Sequence, residues 1–196
     1  MPKRTLNVFS TNNLKKVEKL IWDFFQQGVK NKRSAFHYPT IATSSEKSFN
    51  LRTVILRKVI REDYIIFFYT DHRSKKIVEL KNNNQLLLHV YDKKNEIQIQ
   101  AEGKVKILNK VKLNQLTWNS LSNYAKQAYL TKKAPGKKII DNKDLEYFNN
   151  QDGYKNFTIV KVKINKIIFF QLNKNGNKKI LVKYGKKNIN YHWLVP

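Results

Sequence analysis

Apolar residues recur every three to four positions through NNLKKVEKLIWDFFQQG, residues 12–28. Leu14, Val17, Leu20, Ile21, Phe24 and Phe25 then share one face, the pattern of an amphipathic helix laid on a core. Asn12 or Asn13 suits its N-cap, and Gly28 suits the position just past its end. From residue 39 the period changes to two. PTIATSS (39–45), SFNLRTVILRKVI (48–60) and DYIIFFYT (63–70) read as strands, the last two joined at Arg61–Asp63. A short helix is predicted over 74–83, with Ile77, Val78 and Leu80 inward. NQLLLHVYD (84–92) and EIQIQAEGKVKIL (96–108) follow as strands. In the second, Ile97, Ile99 and Ala101 take one face, and Gln98 and Gln100 the other.

The period returns to 3.6 in KVKLNQLTWNSLSNYAKQAYL (110–130), is broken at APG (134–136), and resumes after Asp141 or Asn142 in DNKDLEYFNNQ (141–151). Strands then close the chain at 157–164, 167–172, 178–184 and 190–196, with hairpin chemistry in NKNGN and YGKKN. The prediction is a mainly β chain of about eight antiparallel strands. They form a closed or partly closed barrel with peripheral helices and a helical insert at about 110–151. No internal repeat or low-complexity linker divides the 196 residues, which are read as one domain.

Composition changes the picture in one respect. Lys+Arg total 39 against 14 Asp+Glu, a net charge of +25. Such a surface attracts polyanions non-specifically. Yet the excess is mostly lysine, spread through almost every segment, and no nucleic-acid-binding module signature accompanies it. No apolar run approaches the roughly 20 residues of a membrane span, and MPKRTLNVFSTNN lacks the apolar core of a secretory signal. The absence of cysteine excludes thiolate chemistry and fits a cytoplasmic location. Four scattered histidines show no metal-ligand spacing, and no nucleophile elbow, Walker loop or dinucleotide fingerprint occurs. An enzyme built this way would leave the difficult chemical step to a bound cofactor.

The segment FFYTDHRSKKIVEL (67–80) points to which one. A strand ends at Thr70, and Ser74 stands ready to cap the helix KKIVEL. Helix N-termini favour anions, so Lys75 and Lys76 in the first turn oppose the helix dipole unless an anion sits there or both point into water. One strand earlier, RTVILR carries Arg52 and Arg57, two of only six arginines. Arginine suits bidentate phosphate contact. A spacing of five sets the two on opposite faces of a regular strand, to serve two anions, unless a bulge brings them together.

PTIATS, RTVILR, FFYTDHRSKKIVELKNN and EIQIQAEGKV, in this order and spacing, resemble the pyridoxamine 5′-phosphate oxidases and their relatives with the FMN-binding split barrel. The resemblance covers about residues 36–108 and is looser through IIFFQL and WLVP. It implies an antiparallel split β-barrel, a homodimer, and FMN at the subunit interface. Position by position it implies that Arg52 and Lys76, with Ser74 and Lys75 beside them, hold the FMN phosphate. Thr53, Val54, Ile55 and Leu56 would line the flavin edge through their backbone. Tyr69 and Thr70 match a Tyr-Thr pair at the ribityl phosphate end, and Gln98 matches a glutamine that reaches the flavin. Arg57 stands where the vitamin-processing oxidases carry a lysine for the substrate phosphate.

The substrate side departs from that pattern. TWNSLSNYAKQ supplies no arginine; near the C-terminus, where the oxidases carry an Arg-x-His motif for substrate and an arginine and a tryptophan for FMN, Phe170 replaces the tryptophan, and Lys178 and Lys179 are the only basic candidates. The resemblance therefore implies an FMN-dependent oxidoreductase acting on CH-NH2 or CH-OH donors, with a rebuilt substrate pocket for a small phosphorylated molecule. A non-catalytic flavin-binding module and a basic nucleic-acid-binding protein are the competing readings.

Overall fold

The computed structural model describes residues 13–46, 48–108, 111–174 and 176–196. Its first helix, α1 (Leu14–Lys30), starts as predicted at Asn13, whose Oδ1 accepts the backbone N–H groups of Lys15 and Lys16 at 3.1 and 3.3 Å; Asn12 lies outside the described residues. Val17, Ile21, Trp22, Phe24 and Phe25 are buried, as the 3.6 periodicity requires. Gly28 does not end the helix. It sits inside it, where a Cβ would lie 2.7 Å from the backbone and Cβ of Phe36. Gly28→Ala therefore sets a steric cost of about 1–3 kcal/mol against a helix-propensity gain of about 1 kcal/mol. A lower urea midpoint is expected, and a rise would show that the Phe36 segment moves freely away.

The strands are β1 (Thr40–Ser45), β2 (Ser48–Thr53), β3 (Leu56–Ile60), β4 (Ile65–Asp71), β5 (Gln85–Asp92), β6 (Ile97–Leu108), β7 (Phe157–Gln171), β8 (Lys178–Tyr184) and β9 (Ile189–Leu194). All pairs are antiparallel, in the order β2-β1-β5-β6-β7-β4-β3, with β8 added to β7 and β9 to β8. The predicted strand 48–60 is two strands. β2 pairs with β1 at one end of the sheet, and β3 pairs with β4 at the other. Between them the Val54 N–H bonds the Pro39 carbonyl at 2.9 Å. Two residues thus carry the chain from one end of the sheet to the other. The sheet curls into a split barrel, and among the described residues no ladder of hydrogen bonds joins its ends.

The reverse correction applies at 157–172, predicted as two strands. β7 is continuous over 15 residues, with Asn165 bulged out opposite Glu102 and Gly103. The strands approach closely there: a Cβ on Gly103 would meet Val162 at 2.6 Å. After β4, α2 (Lys75–Asn82) buries Ile77 and Leu80 but leaves Val78 56% exposed, against the sequence expectation.

The sheet's concave side and α1 enclose the core around Trp22, Phe25, Phe36, Phe68 and Phe169. At its base Trp22 Nε1 donates to Tyr184 Oη (2.8 Å), which donates to Glu18 (3.2 Å). Burial pushes the Glu18 carboxyl above its usual range, against the hydrogen bond from Tyr184 and the nearby Arg61.

The convex side has two halves, because β6 and β7 run through both. Over β4 and the adjoining ends of β6 and β7 lies the insert, with α3 (Val111–Asn119), α4 (Asn123–Lys126) and α5 (Asn150–Gly153). Trp118 and Tyr129 pack there on Phe157 and Ile159. The insert is less helical than predicted: Gln127–Tyr129 and Asn142–Asp144 are single 3₁₀ turns, the second capped by Asp141. Among the described residues nothing covers the other half. Leu51, Ala42 and Leu87 lie in one cross-strand row, and Phe49 and Leu51 are 85% and 73% exposed. Among the described residues no helix is long and apolar enough to cross a membrane.

Candidate functional site

The break between β2 and β3 opens one wall of a cleft of about 1100 Å³. Thr53, Val54 and Ile55 line it, with Tyr69 and Thr70 from the end of β4 and Lys76 from the first turn of α2. The insert supplies the opposite wall over Ser122–Thr131. Tyr129 there is pushed up to about 12 by burial, with Arg57 pulling it down.

Lys76 is the focus of the charge. Its Nζ donates to Thr70 Oγ1 (3.0 Å) and Ser74 Oγ (3.2 Å), and it forms no ion pair among the described residues. An ammonium has three donors, so one remains for the cleft. Burial, and then the neighbouring guanidinium of Arg52, lower its pKa from the usual lysine value. Ser74 stands at the N-cap with extended backbone but does not cap by its side chain; Oγ donates to the Asp71 carbonyl at 2.7 Å. That bond turns the Oγ lone pairs toward Lys76.

Arg52 lies beside this point rather than in the cleft lining. Its guanidinium donates to Glu79 Oε2 (3.2 Å) and to Thr43 Oγ1, so a buried carboxylate fixes its orientation. Arg57 is separated from it by the strand break. It lines the cleft, with Cζ 5.7 Å from the Tyr69 ring centre. The two arginines thus serve different places, one of the alternatives that their spacing allows. Leu56 is buried in the core and does not line the cleft. Lys75 is exposed, 3.9 Å from Glu79.

Three further predicted residues, Gln98, Lys178 and Lys179, are not brought to this cleft within one chain. Gln98 lies on the bare convex face, in the cross-strand row Tyr91, Gln98, Phe170, Lys179 and Leu194. Lys178, one residue from Lys179, points to the other side of β8, 5.6 Å from the Trp193 ring centre.

Two residues acquire roles that the sequence did not reveal. Arg73 forms a staple: its guanidinium holds Asp71 and donates to the carbonyls of Thr131 and Lys132 at 2.8 Å, fastening the insert wall to the β4–α2 turn. His37 lines the cleft, and its Nδ1 lies 2.6 Å from the Gly28 carbonyl, to which it donates. The signal for Arg73 was its place two residues after an aspartate in a turn. For His37 no spacing marks it.

Comparison with known proteins agrees with this architecture. Residues 19–109 match the family model described as pyridoxamine 5′-phosphate oxidase, FMN-binding domain. No curated protein matches the chain in sequence. Among solved structures, a pyridoxamine 5′-phosphate oxidase-related, FMN-binding protein of Nostoc punctiforme superposes with a TM-score of 0.71 at 15% identity, over 91% of this chain and 96% of that one. PhzG of Burkholderia lata, solved with tetrahydrophenazine-1-carboxylic acid, gives 0.73 at 11% identity over 96% of each chain. A Clostridium acetobutylicum protein related to general stress protein 26 gives 0.54 at 14%, over 83% of this chain and 94% of that one. These identities carry the fold, and the matched segment carries the strands and helix that build the cleft's cationic wall. Residues 19–109 thus match the model of the pyridoxamine 5′-phosphate oxidase FMN-binding domain, the family that the four motifs resemble.

Proposed function

We propose that the protein is an FMN-dependent oxidoreductase whose cleft holds the flavin by its phosphate at Lys76. The carrying observation is that half-buried ammonium, with a free donor facing the cleft and no carboxylate in contact among the described residues. An anion placed there would relieve the opposition between Lys76 and Arg52. It would also lie at the start of α2, where the helix dipole favours it. FMN, when bound, supplies two-electron chemistry, taking a hydride from a substrate and passing the electrons to oxygen or another acceptor.

The chain's own residues then have separable tasks. Lys76 binds the phosphate, with Thr70 and Ser74 fixing its Nζ, and Arg52 adds positive potential held in place by Glu79. Thr53, Val54 and Ile55 set the width of the flavin slot. Arg57 offers an anchor for a small phosphorylated or carboxylated substrate, and the insert wall keeps water from that side. The bare convex face, with Phe49, Leu51, Leu87 and Tyr91, supports a homodimer. In such a dimer Gln98 and Lys179 of one copy, which its own cleft does not use, would complete the cleft of the other.

The protein as purified, or after adding FMN, is expected to show flavin absorbance bands at one FMN per chain and to sediment at twice its 23.3 kDa. A colourless protein that takes up no FMN would refute the proposal. Substrate class is read by screening phosphorylated pyridoxine forms for pyridoxal phosphate formation, alongside aromatic carboxylates of the kind found with PhzG. Bound flavin that none of these reduces would favour the non-catalytic flavin module instead.

A further inference from the structure

On the far side of Tyr69 from the cleft lies a second cavity, of about 340 Å³, that the flavin reading does not use. Its floor is the convex face of β3, β4, β7 and β6. One cross-strand row there reads Lys58, Phe67, Lys161, Lys106, and the next reads Tyr69, Ile159, Leu108. Leu113 and Thr117, one turn apart on α3, form the roof. The cavity is therefore an apolar slot with three lysines along one side.

The lysine row is unfavourable as it stands. Lys106 and Lys161 are direct cross-strand neighbours, and like charges so placed destabilise a sheet. The adjacent row repeats the arrangement with Lys104 opposite Lys163. Among the described residues none of Lys58, Lys106 and Lys161 has an ion pair with an acid; Lys58 rests 5.8 Å from the Phe67 ring centre. A solvated basic face would need no apolar floor and no helical roof, whereas this one has both. A cavity of a few hundred Å³, mostly apolar with a few convergent polar groups, is the general form of a small-molecule site.

From this juxtaposition we infer that the slot beneath α3 binds a small amphipathic anion, an alkyl or aryl carboxylate whose apolar part lies on Phe67, Leu108 and Ile159 and whose charge lies among Lys58, Lys106 and Lys161. Length and charge both matter: the floor rewards buried methylenes, and the lysines hold the head group at the open end. A nucleic-acid backbone, by contrast, would use the charge and leave the apolar floor empty.

The test is calorimetric titration of the full chain with hexanoate, octanoate and decanoate, with and without added FMN. One site per chain is expected, tightening about two- to fourfold per methylene and present whether or not the cleft takes flavin. Failure of the flavin reading therefore leaves this result standing, and the reverse holds too. Combined Lys58→Gln, Lys106→Gln and Lys161→Gln should weaken binding by about tenfold or more while raising the thermal midpoint of the ligand-free protein. Leu113→Asp, at a roof position that is already 40% exposed, should remove binding with little change in that midpoint. The inference is overturned by absent saturable uptake or by affinity independent of chain length. Equal displacement by inorganic phosphate or a single-stranded oligonucleotide, or unchanged affinity in the glutamine variant, would overturn it as well.

Discussion

Glu79→Ala is expected to destabilise the fold by about 3 kcal/mol, the lower end of the range for breaking a buried ion pair, because Arg52 keeps 21% of its side chain exposed. Glu79, on α2, is only 3% exposed. Its Oε1 accepts from Asn50 at 2.7 Å, and its Oε2 accepts from Arg52 and Thr43. One carboxylate therefore joins α2 to both β1 and β2. Without it, a guanidinium, a buried hydroxyl and an amide lose their acceptor at once, and alanine cannot replace any of them. Glu79→Gln keeps one acceptor and should lose less. Urea unfolding reads both variants; an alanine variant within about 1 kcal/mol of the parent would show that water replaces the carboxylate.

Lys76→Met separates binding from stability. Losing a charge-assisted contact to a phosphate costs about 1.5–3 kcal/mol, so FMN affinity should fall by about 10- to 100-fold, read by quenching of flavin fluorescence. The ligand-free variant should be no less stable than the parent at neutral pH. The sign follows from the lowered pKa of Lys76. Between that lowered value and the ordinary 10.5, the unfolded chain binds a proton that the native state has released. Stability therefore rises with pH through this window, and the ammonium costs stability below it. Methionine has no such slope. Unchanged FMN affinity in the variant would move the phosphate site elsewhere.

Much of this arrangement is legible in the residues themselves. The 3.6 and 2.0 periodicities place α1, β1 and β4–β6 to within a residue or two, because each buries one face. Lys76 stands out locally, since a lysine in a first turn breaks a simple rule. The strand break at Val54–Ile55 is invisible for a physical reason. Arg52, Val54 and Leu56 keep one inward phase across it, and no glycine, proline or asparagine marks the bend. β7 misleads the other way, since the Asn165 bulge interrupts alternation without ending the strand. Val78 reads as inward by its hydrophobicity alone, yet position 78 is 56% exposed. The tie between Glu79 and Arg52 is a contact between distant segments, which a residue pattern does not carry.

The two-residue passage between β2 and β3 also has a kinetic consequence. β1–β2 and β3–β4 are local hairpins, within reach of an early chain. Joining them into one sheet waits for Ile41 to meet Leu88 and for Thr70 to meet Thr158. Contacts of such sequence separation close slowly, so the molecule should fold on the slow side for its length. The cleft spans that seam. Its two walls come together only when the last long-range ladder has formed, so a ligand there selects the finished sheet over every partly assembled one.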